Sequence, residues 1–191
     1  MARLFEEIEP KLADWIGRQP MFFVGTAPSG DGGHVNVSPK APGETLRILG
    51  PRTVGYLDFV GSGIETVSHL RENGRIVIML CAFTGPPRIV RLHGRGRVVA
   101  LGDPGFAELA APFELEPGTL EEKVARSVVL VDVERISDSC GYGVPLMALV
   151  GRRTQLEGWA ESRLRKDPDG IRAYVSERNA RSIDGLPGLD T

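Results

Sequence analysis

Residues 53–83 hold two β-rich apolar runs, TVGYLDFV and RIVIMLCAF, on either side of one short helical segment, GSGIETVSHLRENG. Elsewhere the strand candidates are joined by tight turns: PSGDGG at 28–33, Gly50-Pro51 and Thr84-Gly85-Pro86-Pro87. Strands linked by short turns, with few long helices between them, predict antiparallel pairing rather than a doubly wound parallel sheet. The glycine-rich turn also lacks the complete GxGxxG pattern of a dinucleotide crossover. A helix opened by Gly, Ser and Thr presents unpaired backbone N–H groups and the positive end of its dipole, which can seat a phosphate. The same residues also have a purely structural reading, as a tight turn followed by side-chain capping.

Around this unit, residues 4–18 repeat Leu4, Phe5, Ile8, Leu12, Trp15 and Ile16 at helical spacing, predicting an N-terminal helix that Pro10 breaks or kinks. Residues 21–27 and 34–38 read as a hairpin, and 46–49 as a further short strand. Residues 88–101 form a long strand pattern. Val90, Leu92 and Val98 share one face and Arg91, His93, Arg95 and Arg97 the other, while Gly94 and Gly96 predict a bulge or bend on the apolar face. Small helices are expected at 103–111 and 119–125, and a strong strand at 127–133. Beyond residue 136 the composition changes: SDSCGYGVP reads as a loop, 147–163 and 168–181 as helices, and 182–191 as a loop packing through Ile183, Leu186 and Leu189.

The chain has 191 residues, enough for a core without disulfides. Apolar residues at 41% and charged residues at 25% describe an ordinary globular mix, and the net charge of −2 does not point to nucleic acid. Two isolated cysteines, Cys81 and Cys140, fit a reducing compartment. There is no signal-peptide pattern, and the longest apolar run is too short to span a bilayer. A cytoplasmic protein with no membrane partner is the expectation. No His, Cys and carboxylate set has metal-ligand spacing, so no metal is expected. Ser38, His34 and Asp58 lack the nucleophile elbow of a hydrolase. His34 and His69 are expected at the surface, and Cys81 in the core.

Taken together, NVSPK, YLDFVGSGIET, RIVIMLCAF and PPRIVRLHGRGRVV resemble the pyridoxamine 5′-phosphate oxidase-like flavin-binding proteins. The likeness covers roughly residues 20–133. The tail around SCGYGVP and NARSIDGLPG looks like one subgroup other than the true oxidase. The resemblance implies a mainly β fold: an antiparallel split β-barrel with short peripheral helices and a helical C-terminal tail. It divides the chain into a barrel domain, 1–137, and an extension, 138–191, packing on it. It also implies a homodimer binding FMN between subunits and oxidising or reducing a small molecule. Carried over, the cofactor-binding positions are Val37, Ser38, Pro39, Lys40, Tyr56, Leu57, Asp58, Gly61, Ser62, Gly63, Glu65 and Thr66, with Arg88 and Arg91 reaching the flavin of the partner subunit.

Two departures stand out. Glu65-Thr66 occupies the place where the true oxidase has an Arg-Lys pair, and the basic C-terminal signature for pyridoxal phosphate is missing. Glu65 would repel a phosphate unless it points away or accepts a hydrogen bond from the ligand. Lys40 reads either as an exposed lysine or as a charge on the cofactor. The Arg91–Arg97 row reads either as a solvated face or as an interface or anion-binding surface. The loop holding Cys140 either packs locally or covers a cofactor. A non-catalytic flavin-binding sensor and a reductase using the deazaflavin F420 are the alternative functions, and no catalytic side chain is assigned.

Overall fold

The computed structural model describes residues 3–115 and 118–189. One antiparallel sheet dominates it. Strands β1 (Arg3–Phe5), β2 (Phe22–Thr26), β3 (Asn36–Lys40), β4 (Leu46–Gly50), β5 (Thr53–Phe59), β6 (Arg75–Cys81), β7 (Ile89–Ala100) and β8 (Ala125–Ser139) run in the order β3-β2-β6-β7-β8-β5-β4, with β1 added on β8. Every pairing is antiparallel. The expected split-barrel architecture is thus present, although no backbone ladder closes β3 against β4 among the described residues.

β8 is the spine. It pairs with β7 along one side and with β5 and β1 along the other. Residues 125–131 are buried on both faces, which is why VVLV reads as a continuous apolar run instead of alternating. One face packs inside the barrel with Phe22, Val24, Ile78, Leu80, Val90, Leu92 and Ile136. The other packs Val128 and Leu130 against Phe113, just beyond helix α3 (Phe106–Ala110). The strand reaches Ser139, well past the stretch that the sequence marks. Asp138 and Ser139 are carried as strand by pairing with Val90 and Ile89, a long-range effect that local composition does not show.

Further elements differ from expectation at their edges. The N-terminal helix α1 is only Pro10–Gly17, with Pro10 at its start, where a missing N–H costs nothing. Residues 3–5 are strand, recruited by β8. Ahead of β8, α4 is Leu120–Val124; in the tail, 147–154 is irregular, α5 is Gln155–Lys166 and α6 is Gly170–Arg178. Leu189 is buried against this tail, but Ile183 is exposed. The final residues 190–191 of the expected loop lie outside the described residues.

Helix α2 (Glu65–Asn73) lies across the sheet, and the two glycines of β7 make room for it and for the bulge. The register shifts between His93 and Gly94, as the sequence predicts. A Cβ on Gly94 would drive into the Asp132 carbonyl, and one on Gly96 would meet Leu70 Cδ2 at 2.8 Å. Gly96 N–H donates to the Gly74 carbonyl at 2.7 Å, fastening the helix end to the sheet. Gly94→Ala should therefore cost about 3 kcal/mol of unfolding free energy. Gly50→Ala, whose Cβ would make only ordinary contacts near 3.8 Å, serves as the control with a change under about 1 kcal/mol. Urea denaturation of both variants measures the contrast, and equal midpoints would count against the close packing described.

Candidate functional site

The site begins with a carboxylate that has no water to ionise in. Asp58 sits near the end of β5 with 1% exposure. Its two oxygens are divided between two cations: Lys40 Nζ on β3 lies 2.5 Å from Oδ1, and Arg126 Nε on β8 lies 2.8 Å from Oδ2. Burial alone would raise the Asp58 pKa. The Arg126 and Lys40 charges and their hydrogen bonds overcome that, and the carboxyl is held below its usual range. The neighbouring Tyr56 phenol is pushed well above its usual value, first by burial and then by the Asp58 charge. It packs edge-on to Phe22, with Lys40 Nζ 5.8 Å from its ring centre.

Arg126 extends the network into the tail. It donates to Asn179 Oδ1 at 2.8 Å, and Asn179 Nδ2 donates to the Gly61 carbonyl at 3.0 Å. Asn179 is fully buried at the end of α6. The Gly-Ser-Gly turn is thus held from the C-terminal segment. Other contacts seat the same segment: Ser68 Oγ to the Leu186 carbonyl, Arg71 to the Gly188 carbonyl, and the backbone N–H and Nδ1 of His34 to Asp184.

Beside this network lies a cavity of about 230 Å³, lined by Ser38, Pro39, Lys40, Phe59, Gly61, Gly63, Glu65, Thr66 and Arg126. Helix α2 opens toward it without a side-chain cap, so its first-turn N–H groups face the cavity end of the molecule. Asn36 donates to Thr66 Oγ1 at 3.0 Å, and Ser38 donates to Asn36 Oδ1 at 3.2 Å, orienting both hydroxyls from the β3 side. Pro39 is tolerated because β3 is an edge strand.

Seven of the positions singled out in the sequence meet at this cavity: Ser38, Pro39, Lys40, Gly61, Gly63, Glu65 and Thr66. Asp58 stands directly behind it. Others go elsewhere. Val37 is exposed on the opposite face of β3, Ser62 is exposed at the turn, Tyr56 is in the barrel core, and Leu57 faces the cluster around Phe113. Arg88 and Arg91 belong to the far end of β8: Arg88 pairs with Asp138 at 2.7 Å and lies over Trp15, and Arg91 donates to Ser139 Oγ at 3.1 Å. Cys140 and Tyr142 are exposed at that same end, away from the cavity.

The structure answers the question posed by Glu65. Its Oε1 accepts from the Ile183 N–H at 3.3 Å, and its Oε2 lies over Gly63, where a Cβ would come within 2.6 Å. One carboxylate oxygen thus bonds the tail, while Glu65 stays on the cavity wall. A cation does line the cavity, Arg126 at the head of β8. Sequence reading missed Arg126 and Asn179. The available signal for the first was a lone arginine opening a strongly apolar strand, where an unpaired charge would be costly. His69, expected at the surface, is fully buried, with Nδ1 3.0 Å from Thr26 Oγ1; burial lowers its pKa and keeps it neutral.

No family model matches the chain. A curated relative does: the pyridoxamine 5′-phosphate oxidase family protein ustO of Aspergillus flavus is 39% identical over 202 residues, spanning 99% of this chain and 78% of its own length. The chain belongs to the pyridoxamine 5′-phosphate oxidase family. Among solved structures, HupZ of Group A Streptococcus has a TM-score of 0.50 at 22% identity, covering 68% of this chain and 91% of its own, a likeness of fold. A pyridoxamine 5′-phosphate oxidase-related, FMN-binding protein of Nostoc punctiforme has a TM-score of 0.46 at 11% identity, over 70% of this chain and 81% of its own.

The network makes a pH-dependent prediction. Because the folded Asp58 pKa is depressed, its stabilisation is fully present above the unfolded carboxyl value, about 3.9, and is lost as pH falls through the folded value. Asp58→Asn should lower stability at pH 7 by about 3–5 kcal/mol, because it strands two cations. It should also flatten the acid limb of the stability curve below about pH 4. Urea unfolding at pH 7 and pH 3 tests both parts, and an unchanged midpoint at pH 7 would sink the assignment.

Proposed function

We propose that this protein binds FMN, with the phosphate in the cavity beside Lys40, and uses it to oxidise or reduce a small molecule as a homodimer. The observation that carries this reading is the convergence of one buried cation, Arg126, one half-buried cation, Lys40, an uncapped helix start and the Ser38 and Thr66 hydroxyls on one small cavity. That donor set suits a phosphate monoester: Arg126 and Lys40 supply charge-assisted hydrogen bonds, and α2 supplies backbone N–H groups. Family membership supports the same cofactor. A bound flavin would supply two-electron chemistry. The chain's own residues hold and orient it: Lys40 and Arg126 at the phosphate, Pro39 stiffening the strand beside Lys40, and the Gly61–Asn179 clasp fixing the turn.

The cavity is too small for a whole flavin nucleotide, so the remainder would lie along β3. Exposed Val35 and Val37 there, and exposed Leu146, Leu149 and Val150 in the arm after β8, support a second copy covering it. Arg88 and Arg91 would then approach the flavin from that copy. In the same reading, residues 138–191 form an extension on a barrel of residues 1–137, and the protein works in the cytoplasm. Among the described residues, no helix is long and apolar enough to cross a membrane.

A second reading, a flavin-binding sensor without turnover, is favoured by one observation. The buried carboxylate at the site is locked between two cations, so it is not poised to move a proton.

Fluorescence titration with FMN should show saturable quenching, one flavin per chain. Lys40→Ala should weaken it about tenfold or more, the equivalent of one charge-assisted hydrogen bond. A colourless protein that binds no added FMN, or a variant with unchanged affinity, overturns the site. The mass of the released chromophore separates FMN from the deazaflavin F420, whose acidic tail would call on the Arg91–Arg97 face. Reduction of bound flavin by NAD(P)H, with an artificial acceptor, separates enzyme from sensor.

A further inference from the structure

A second and larger cavity, about 690 Å³, lies where the ends of β5, β7 and β8 meet the tail helices α5 and α6. Its walls are mostly apolar: Val60 and Ala100 come from the sheet side, and Leu164, Ile171 and Val175 from the helices. The polar lining is one-sided. Lys123, Arg126 and Arg172 contribute to it, and no carboxylate among the described residues does. Arg126 is already committed to Asp58 and Asn179. Lys123 and Arg172 are exposed, and no ion pair to either occurs among the described residues. The volume falls in the range of small-molecule sites, which pair an apolar body with a few convergent polar groups.

We propose that this cavity binds an amphipathic monocarboxylate, with its apolar chain among Val60, Leu164, Ile171 and Val175 and its carboxylate at Lys123 and Arg172. The chemistry follows from the lining. An apolar body is favoured by removal from water, and two lining cations with no ion-pair partner among the described residues select a negative head group. The site stands on its own residues and does not require that the smaller cavity hold FMN. The two cavities share only Arg126, whose side chain forms part of both walls.

Isothermal titration of the full chain with sodium decanoate tests the assignment, run with and without saturating FMN. One decanoate per chain should bind in both cases. 1-Decanol should bind about tenfold weaker or more, having lost the charge-assisted hydrogen bond. The double variant Lys123→Glu, Arg172→Glu should lose decanoate affinity by a similar or larger factor. It changes only exposed side chains, so its circular dichroism and its quenching of FMN should match those of the unmodified chain. Three results would overturn the proposal: no decanoate binding, equal affinity for decanol, or full affinity in the folded double variant. Loss of decanoate binding when FMN is added would place the fatty acid in the smaller cavity and overturn it as well.

Discussion

The Lys40–Asp58–Arg126 ion triad closes what the backbone leaves open. β3 is one edge of the sheet and β5 lies next to the opposite edge, with four strands between them in the hydrogen-bonded order. A 2.5 Å contact between Lys40 and Asp58 is possible only if the sheet curls until those edges face each other. The Phe22–Tyr56 contact beneath it repeats the closure with apolar surface. Side chains thus complete a barrel that has no continuous ladder, and they do so at the place where the small cavity forms. A buried triad of this kind is expensive to assemble and more expensive to break in part, so the geometry of the site and the integrity of the barrel depend on the same three residues.

Arg126 carries this arrangement into the rest of the molecule. Through Asn179 it binds the C-terminal helix to the Gly61 turn, and it lines both cavities. The tail is therefore part of the site's framework. It also offers the Ile183 N–H to Glu65 Oε1, while Glu65 remains on the wall of the small cavity. α2 brings no cation to the small cavity, whereas β8 brings Arg126 and β3 brings Lys40.

Much of the strand framework was legible because short apolar runs and turn chemistry are local. The hairpin, the short helix between two strands, the long strand with its glycine bulge and the NVSPK edge are all where pattern reading places them. The N-terminal helix start, the extent of β8 and the irregular stretch 147–154 were not legible. For the two strand segments, partner strands override local preference: Arg3–Phe5 is strand because β8 is there to pair with it, and the end of β8 because β7 is. His69 looked like a surface residue because a histidine in a polar helix usually is one. It is buried because α2 lies flat against β2 and β7.

The sequence by itself determined an antiparallel, turn-rich sheet, the glycine-opened helix and the family likeness that joins NVSPK to that helix, because these rest on periodicity and on neighbours in the chain. It also brought Ser38, Lys40, Gly61, Gly63 and Thr66 forward as one candidate set. Only the tertiary structure decided which cations lie beside that set, which group Glu65 bonds, and that Asn179 fastens the tail to it. Those outcomes rest on contacts between residues dozens of positions apart, and a buried charge finds its partner through the fold, not through its place in the chain.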